Sequence, residues 1–288
     1  MSPIDAELER ALQAALSTMD ATDTVLRTMS EEPGRFTVKA DGSLLTRADL
    51  VIEDLVRSTL ARHAPGTEVF GEERSGVEGV RPLLAGEVDG WIVDPIDHTR
   101  HFVRSDPEFG TLLAYVRESE PVVAAISAPL LGVRGWARRA GGAHINGKPV
   151  RVSRRDDLAY AEVAFAGFAE WTDGRPGRNL QAVLDRSSYP HGTRGGFLQH
   201  LRVAGGSVDV AIEPWGKPWD LCPGALIVTE AGGCATALDG GRVGAAPSGG
   251  FIVSNGLLHD EVLALLSLDP QATTSRGSHS DGEVARGS

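Results

Sequence analysis

The chain has few cysteines, few aromatics, a shortage of basic residues and no long apolar run. Two cysteines stand in 288 residues, Cys222 and Cys234, with no C-x-x-C pair or Cys/His cluster beside them. That excludes a disulfide scaffold and a zinc-finger pattern and fits a reducing compartment. Aromatic residues make up 6%, too few for a stacking platform to be the theme of the molecule. Lys and Arg number 28 against 39 Asp and Glu, a net charge of -11. Nucleic acid is thereby a poor partner, because a phosphate backbone needs a basic face. No stretch approaches the ~20 apolar residues of a membrane span, and the opening MSPIDAELER has no apolar signal core. These absences lead us to expect a cytoplasmic protein with no membrane partner. An acidic excess leaves one opening, a carboxylate cluster that holds hard cations.

Glycine is what the chain has in plenty. Its 35 residues are about 12%, against a usual ~7%. They fall in short pieces between apolar runs, as turns and helix ends do. Apolar spacing predicts a helix over 3–29, through Leu8, Leu12, Ala15, Leu16 and Met19. A loop or short hairpin follows over 31–43. Thr46 is a candidate N-cap for a second helix ending at Pro65-Gly66. Short apolar runs at 69–70, 91–93, 112–116, 122–126, 133–137, 162–166, 208–212 and 251–254 predict strands. Helices are expected at 221–231 and 259–268, and 269–288 reads as a disordered polar tail. Strand runs between helices suggest a layered α/β or α+β sandwich.

Three acidic clusters follow apolar strands or open a helix: Glu72-Glu73, then Asp94-Pro95-Ile96-Asp97-His98-Thr99, then Trp219-Asp220. Each alone reads as a capping or solvated acid. Brought to one sheet edge they would repel, and a divalent cation would relieve that. The pattern resembles the inositol monophosphatase family of metal-dependent phosphatases. The likeness rests on GEE at 71–73, DPIDHT at 94–99, WDLCPGALIVTEAGG at 219–233 and KADGSLLTRAD at 39–49. Within that family, HFVRSDPEFGTLLA at 101–114, the segments at 121–143 and 195–214, and SNGLLHDEVL at 254–263 are most similar to actinobacterial-type histidinol-phosphate phosphatases.

The resemblance implies a layered αβαβα sandwich like that of inositol monophosphatase and fructose-1,6-bisphosphatase. It implies an N-terminal half over 1–190 with the metal site and a C-terminal half over 191–268 that completes it. It implies Mg²⁺-dependent hydrolysis of a small phosphorylated metabolite such as a histidinol, inositol, sugar or nucleoside phosphate, in a homodimer. Carried over by position, Glu72, Asp94 and the Ile96 carbonyl would hold one Mg²⁺. Asp94, Asp97 and Asp220 would hold a second, with Glu73 and Lys39 behind them and room for a weaker third ion. Thr99 and Asp49 would orient the attacking water, with Glu72 in the catalytic set, and the N–H groups of His98 and Thr99 would cradle the phosphate. Glu213, Arg194 and Gly196 would line the substrate side, joined at their edge by His191 and His200.

Two positions depart from the pattern. The family has glycine where His98 stands, and a histidine fits that turn if φ stays negative. The histidinol-phosphate enzymes carry aspartate where Gly196 stands. Beside simple hydrolysis, two alternatives follow: a divergent paralogue with an altered reaction, and a phosphate-binding protein impaired by His98.

Overall fold

The computed structural model describes residues 3–167, 171, 179–193, 195–244 and 249–268. The expected tail at 269–288 and Arg194 lie outside the described residues. The chain opens with α1 (Pro3–Glu31), the hairpin β1 (Phe36–Val38) and β2 (Leu44–Thr46), and α2 (Arg47–His63). Of the two forms expected for 31–43, the hairpin is the one found. α1 buries Leu8, Leu12, Ala15, Met19 and Leu26 along one stripe. α2 begins where Thr46 Oγ1 accepts from the Ala48 and Asp49 N–H groups, while Asp49 Oδ2 accepts from Thr46 N–H at 2.7 Å. This reciprocal capping satisfies donors that a bare helix end would leave unpaired.

Next come β3 (Glu68–Gly71), α3 (Gly76–Gly79), α4 (Arg81–Ala85), β4 (Gly90–Asp97) and α5 (Thr99–Val103). A meander follows: β5 (Gly110–Arg117), β6 (Glu120–Ala128), β7 (Val133–Arg138), β8 (Gly142–Ile145) and β9 (Lys148–Val150). β3 to β9 form a seven-stranded sheet in chain order, with β3 parallel to β4 and the rest antiparallel. The remainder is β10 (Glu162–Phe165), α6 (Leu180–Leu184), β11 (Tyr189–Gly192), α7 (Phe197–Ala204), β12 (Val210–Glu213), α8 (Pro218–Glu230), β13 (Cys234–Ala237), β14 (Phe251–Ser254) and α9 (His259–Leu266). Its five-stranded sheet has the order β11-β10-β12-β14-β13. The chain changes sheet between β9 and β10, whereas residue 190 falls inside β11.

Strand alternation sorts the layers. Trp91, Val93, Leu113, Tyr115, Val123 and Ala125 face α1 and α2. Their neighbours Ile92, Leu112, Ala114, Ala124 and Ile126 face α7 and α8, which also meet Ala164, Ala211 and Val253 of the second sheet. The far side of that sheet, Val163, Val210, Ile212 and Ile252, packs on α6 and α9. The result is the expected αβαβα sandwich. Among the described residues no helix is long and apolar enough to cross a membrane.

Candidate active site

The site begins with a defect in β4. Asp94 and Asp97 are three residues apart, so on a regular strand they would face opposite sides of the sheet. The register slips between them: Asp94 pairs with Leu112 and Asp97 with Gly110. β4 thus carries one extra residue against β5, a β-bulge, which turns both carboxylates towards one side. Pro95 sits in the bulge, where no ladder N–H is required of it. Its carbonyl accepts from Thr111 Oγ1 at 2.8 Å. The Asp94 carboxylate accepts from Ile96 N–H at 3.0 Å, which sets the turn after it.

Three elements then bring their acids to this edge. Glu72 follows the end of β3, Asp94 lies in β4, and Asp220 stands in the first turn of α8. One carboxylate oxygen from each lies within 4.8 Å of the others. Asp220 Oδ2 also accepts from Lys217 N–H at 2.9 Å, which fixes the carboxylate at the helix start. Asp49 Oδ2 is tied up in the α2 cap, leaving Oδ1 directed at Thr99 Oγ1, 3.4 Å away. The Thr99 hydroxyl also lies 3.0 Å from the Ile96 carbonyl. Thus capping, the plain reading of Asp49, is also what aims it.

The acids are crowded, and Asp94 at their centre is buried. Burial pushes the Asp94 carboxyl well above the ordinary range, reinforced by Glu72, Asp97, Asp220 and Asp49. Burial likewise raises Asp220, with Asp97 and Glu72 adding to it. Burial lifts Asp49 to about 6 despite its bonds to Thr46, and lifts Glu73 to about 7 despite Lys39. Lys39 Nζ lies 2.8 Å from Glu72 and 2.7 Å from Glu73, and Lys217 Nζ lies 3.3 Å from Glu72. Burial pulls the Lys39 ammonium down, but Glu72 and Glu73 outweigh it and the net shift is upward. An all-oxygen donor set with a buried carboxylate among like charges suits a hard divalent cation.

A cavity of about 620 Å³ holds Glu72, Asp94 and Asp220. A second, of about 340 Å³, is lined by Thr193, Gly196, His200 and Glu213. Asp97, His98, Trp215 and Asp220 line both. His200 borders the substrate side as expected. His191 lies on β11 beside Glu162, 3.4 Å away, and is not among the residues lining either cavity. The condition set for a histidine at position 98, a negative φ, is not the one the fold meets. Its φ is 65° and ψ 44°, the left-handed conformation that glycine adopts freely. Histidine is one of the few side chains enriched there, at a cost of about 1–2 kcal/mol. The backbone N–H of His98 donates to its neighbour Asp97 Oδ1 at 2.8 Å.

The Inositol monophosphatase family profile matches residues 7–269. The chain belongs to the inositol monophosphatase family. It is similar to a histidinol-phosphatase of Mycobacterium tuberculosis, 38% identical over 89% of this chain and 97% of that protein. A histidinol-phosphatase of Streptomyces coelicolor is 39% identical over 80% and 86%. Among solved structures, the Thermotoga maritima IMPase superposes with a TM-score of 0.73 at 25% identity, covering 92% of this chain and 97% of that one. By family the chain is a phosphoric monoester hydrolase.

Sequence reasoning missed three residues of this inositol monophosphatase-family site. Glu53 is fully buried in α2, and its Oε2 accepts from Glu73 N–H at 2.9 Å and Arg74 N–H at 3.3 Å. Arg57 pairs with its Oε1 at 2.8 Å and donates to the Val69 carbonyl at 2.6 Å. Together they clasp the loop that carries Glu72. Their four-residue spacing on a helix was the signal available. Lys217 bridges Asp41 (2.9 Å) and Glu72 across 145 positions of chain. No local pattern marks such a contact.

Proposed function

We propose that this protein hydrolyses a small phosphate monoester at the Glu72, Asp94 and Asp220 cluster, with Mg²⁺ as cofactor. One observation carries the reading: carboxylates from three separate elements converge on a buried Asp94, beside the Asp49–Thr99 contact. Glu72, Asp94 and the Ile96 carbonyl are assigned to one Mg²⁺, and Asp94, Asp97 and Asp220 to a second. Glu73, held by Lys39, stands behind them, where a third ion would bind. Bound Mg²⁺ supplies Lewis-acid polarisation of the phosphoryl oxygens and makes water easier to ionise.

The chain's own groups do the positioning. Were the Ile96 carbonyl to hold a cation, the Thr99 hydroxyl would donate to Asp49 Oδ1 and present a lone pair to orient the attacking water, with Glu72 in the same catalytic set. The His98 and Thr99 N–H groups are assigned to the phosphoryl oxygens, for which the His98 N–H would have to leave Asp97 Oδ1, its acceptor in this structure. Glu213, His98 and Gly196 border the leaving group, and Arg194 is retained as a candidate by its sequence position. The half over 1–190 supplies Asp49, Glu72, Asp94 and Asp97, and the half over 191–268 supplies Glu213 and Asp220. Because His98 keeps the glycine-like backbone conformation, hydrolysis is favoured over an impaired binding protein.

The same reading takes the protein as a cytoplasmic homodimer acting on a metabolite rather than nucleic acid or membrane. The net charge of -11 speaks against nucleic acid and the two free cysteines fit a reducing compartment, while the dimer rests on the family resemblance and is tested by sedimentation velocity. The main experiment measures phosphate release from histidinol, inositol, sugar and nucleoside phosphates, with Mg²⁺ and with chelator. Asp94→Asn is expected to abolish Mg²⁺ binding by calorimetry and turnover together. Full activity in that variant overturns the site.

A further inference from the structure

His98 and Gly196 are the two positions where the chain leaves its pattern, and in the fold they touch. A Cβ placed on Gly196 would overlap His98 Nε2 and lie 2.9 Å from its Cε1. The imidazole therefore occupies room that any side chain at 196 would need. Gly196 has φ 74° and ψ −172°, a region essentially reserved for glycine. The far side of the ring is anchored. His98 Nδ1 lies 3.0 Å from the Glu108 carbonyl, and His101 Nδ1 lies 3.0 Å from the same oxygen. A carbonyl only accepts, so Nδ1 is the donor, and in that tautomer the lone pair lies on Nε2. The rings of His101 and Phe197, with centroids at 4.6 and 5.6 Å, brace it.

That Nε2 has no hydrogen-bond partner among the described residues, and His98 lines both cavities at their junction. Across the smaller cavity, Glu213 Oε1 is taken by Gly196 N–H at 2.8 Å and His200 Nε2 at 3.2 Å, which leaves Oε2. Two acceptors, His98 Nε2 and Glu213 Oε2, thus border this cavity, and acceptors favour a ligand that brings donors.

We propose that His98 and Gly196 form one specificity device, in which the missing side chain at 196 admits the imidazole and its Nε2 accepts a hydrogen bond from a hydroxyl or ammonium of the leaving group. Resting on the phosphatase reading, the inference narrows it to esters whose leaving group carries a donor.

The test uses the full chain with Mg²⁺ and two probes, glycerol 2-phosphate and isopropyl phosphate (the same branched skeleton without hydroxyls). Wild type is expected to prefer glycerol 2-phosphate to isopropyl phosphate by about tenfold or more in kcat/KM, mostly through KM. His98→Gly suits the left-handed backbone and should bring that ratio to within about twofold, and His98→Asn, which keeps an acceptor, should restore part of it. For the steric half, Gly196→Ala is made in wild type and in His98→Gly. Backbone strain is common to both backgrounds, so a larger loss of Tm in wild type reports the ring overlap. An unchanged ratio in His98→Gly, or an equal Tm loss in both backgrounds, overturns the proposal. Calorimetric affinities for the same esters separate the two readings. A binding preference that His98→Gly abolishes, without phosphate release, sustains this inference and sinks hydrolysis. Hydrolysis with no donor preference does the reverse.

Discussion

Removing the Glu53 carboxylate should loosen the loop that carries Glu72 without touching the cluster itself. Glu53→Ala leaves two backbone donors, Glu73 N–H and Arg74 N–H, without their acceptor, and strips Arg57 of its partner at 2.8 Å. Losing one member of a buried pair costs about 3–5 kcal/mol. The Arg57 side chain is 32% exposed, so water recovers part of its charge and the lower end applies. A loss of about 3 kcal/mol is a large share of the ~5–15 kcal/mol that holds a domain together. With an unfolding entropy of roughly 2.1 cal/mol/K per residue, it corresponds to a fall in Tm of about 5 °C for a chain of 288 residues. Glu53→Gln keeps the shape and loses the charge, and should fall between wild type and Glu53→Ala. The assays are thermal unfolding in chelator and Mg²⁺ titration by calorimetry. Both stability and Mg²⁺ affinity should drop, because the clasp orders Glu72 and Glu73. An unchanged Tm together with unchanged Mg²⁺ affinity in Glu53→Ala would refute this account of the loop.

Gly71→Ala should mimic that loss, since a Cβ there would overlap the Glu53 carboxylate. Its unfolding midpoint in urea checks this, and an unaltered midpoint would mean that Glu53 gives way freely. Thr46→Ala removes the α2 cap at about 1 kcal/mol. It also takes the Thr46 hydroxyl from Asp49 Oδ2 and leaves only the backbone N–H of residue 46 to hold it, so kcat should fall while KM stays near its wild-type value. The pH dependence has an unusual sign. The carboxyls of Asp49, Glu73, Asp94 and Asp220 are all raised on folding. The folded state therefore holds protons that the unfolded chain has released above roughly pH 4–5. In chelator, Tm should rise as pH falls through about 7 and about 6, the values for Glu73 and Asp49. Mg²⁺ should raise Tm most near neutral pH and progressively less as protons compete for the same oxygens. A Tm in chelator that falls steadily over that window would contradict the crowding of the cluster.

Much of this was legible in one dimension because local chemistry repeats itself locally. Apolar spacing marks α1, and short continuous apolar runs mark the central strands, because β4 to β6 are buried on both faces. Thr46 three residues before Asp49 is a capping signature that held in the fold. The acids at 72, 94, 97 and 220 could be singled out because each follows a strand or opens a helix. The short elements, such as β8, β9 and α7, were not legible. They are held by neighbours rather than by their own period: α7 by α8, and β8 by β7.

The sequence by itself determined which side chains are available for the chemistry and in which order along the chain. Only the tertiary structure decided how they face one another. The one-residue bulge turns Asp94 and Asp97 to the same side, and parity along a regular strand would have separated them. The Glu53–Arg57 clasp reaches back from α2 to the β3 loop, a contact that spacing cannot specify. His98 and Gly196 are 98 positions apart and read in sequence as two separate anomalies; the packing of α7 against the turn after β4 makes them one compensated pair, because two groups cannot share one volume.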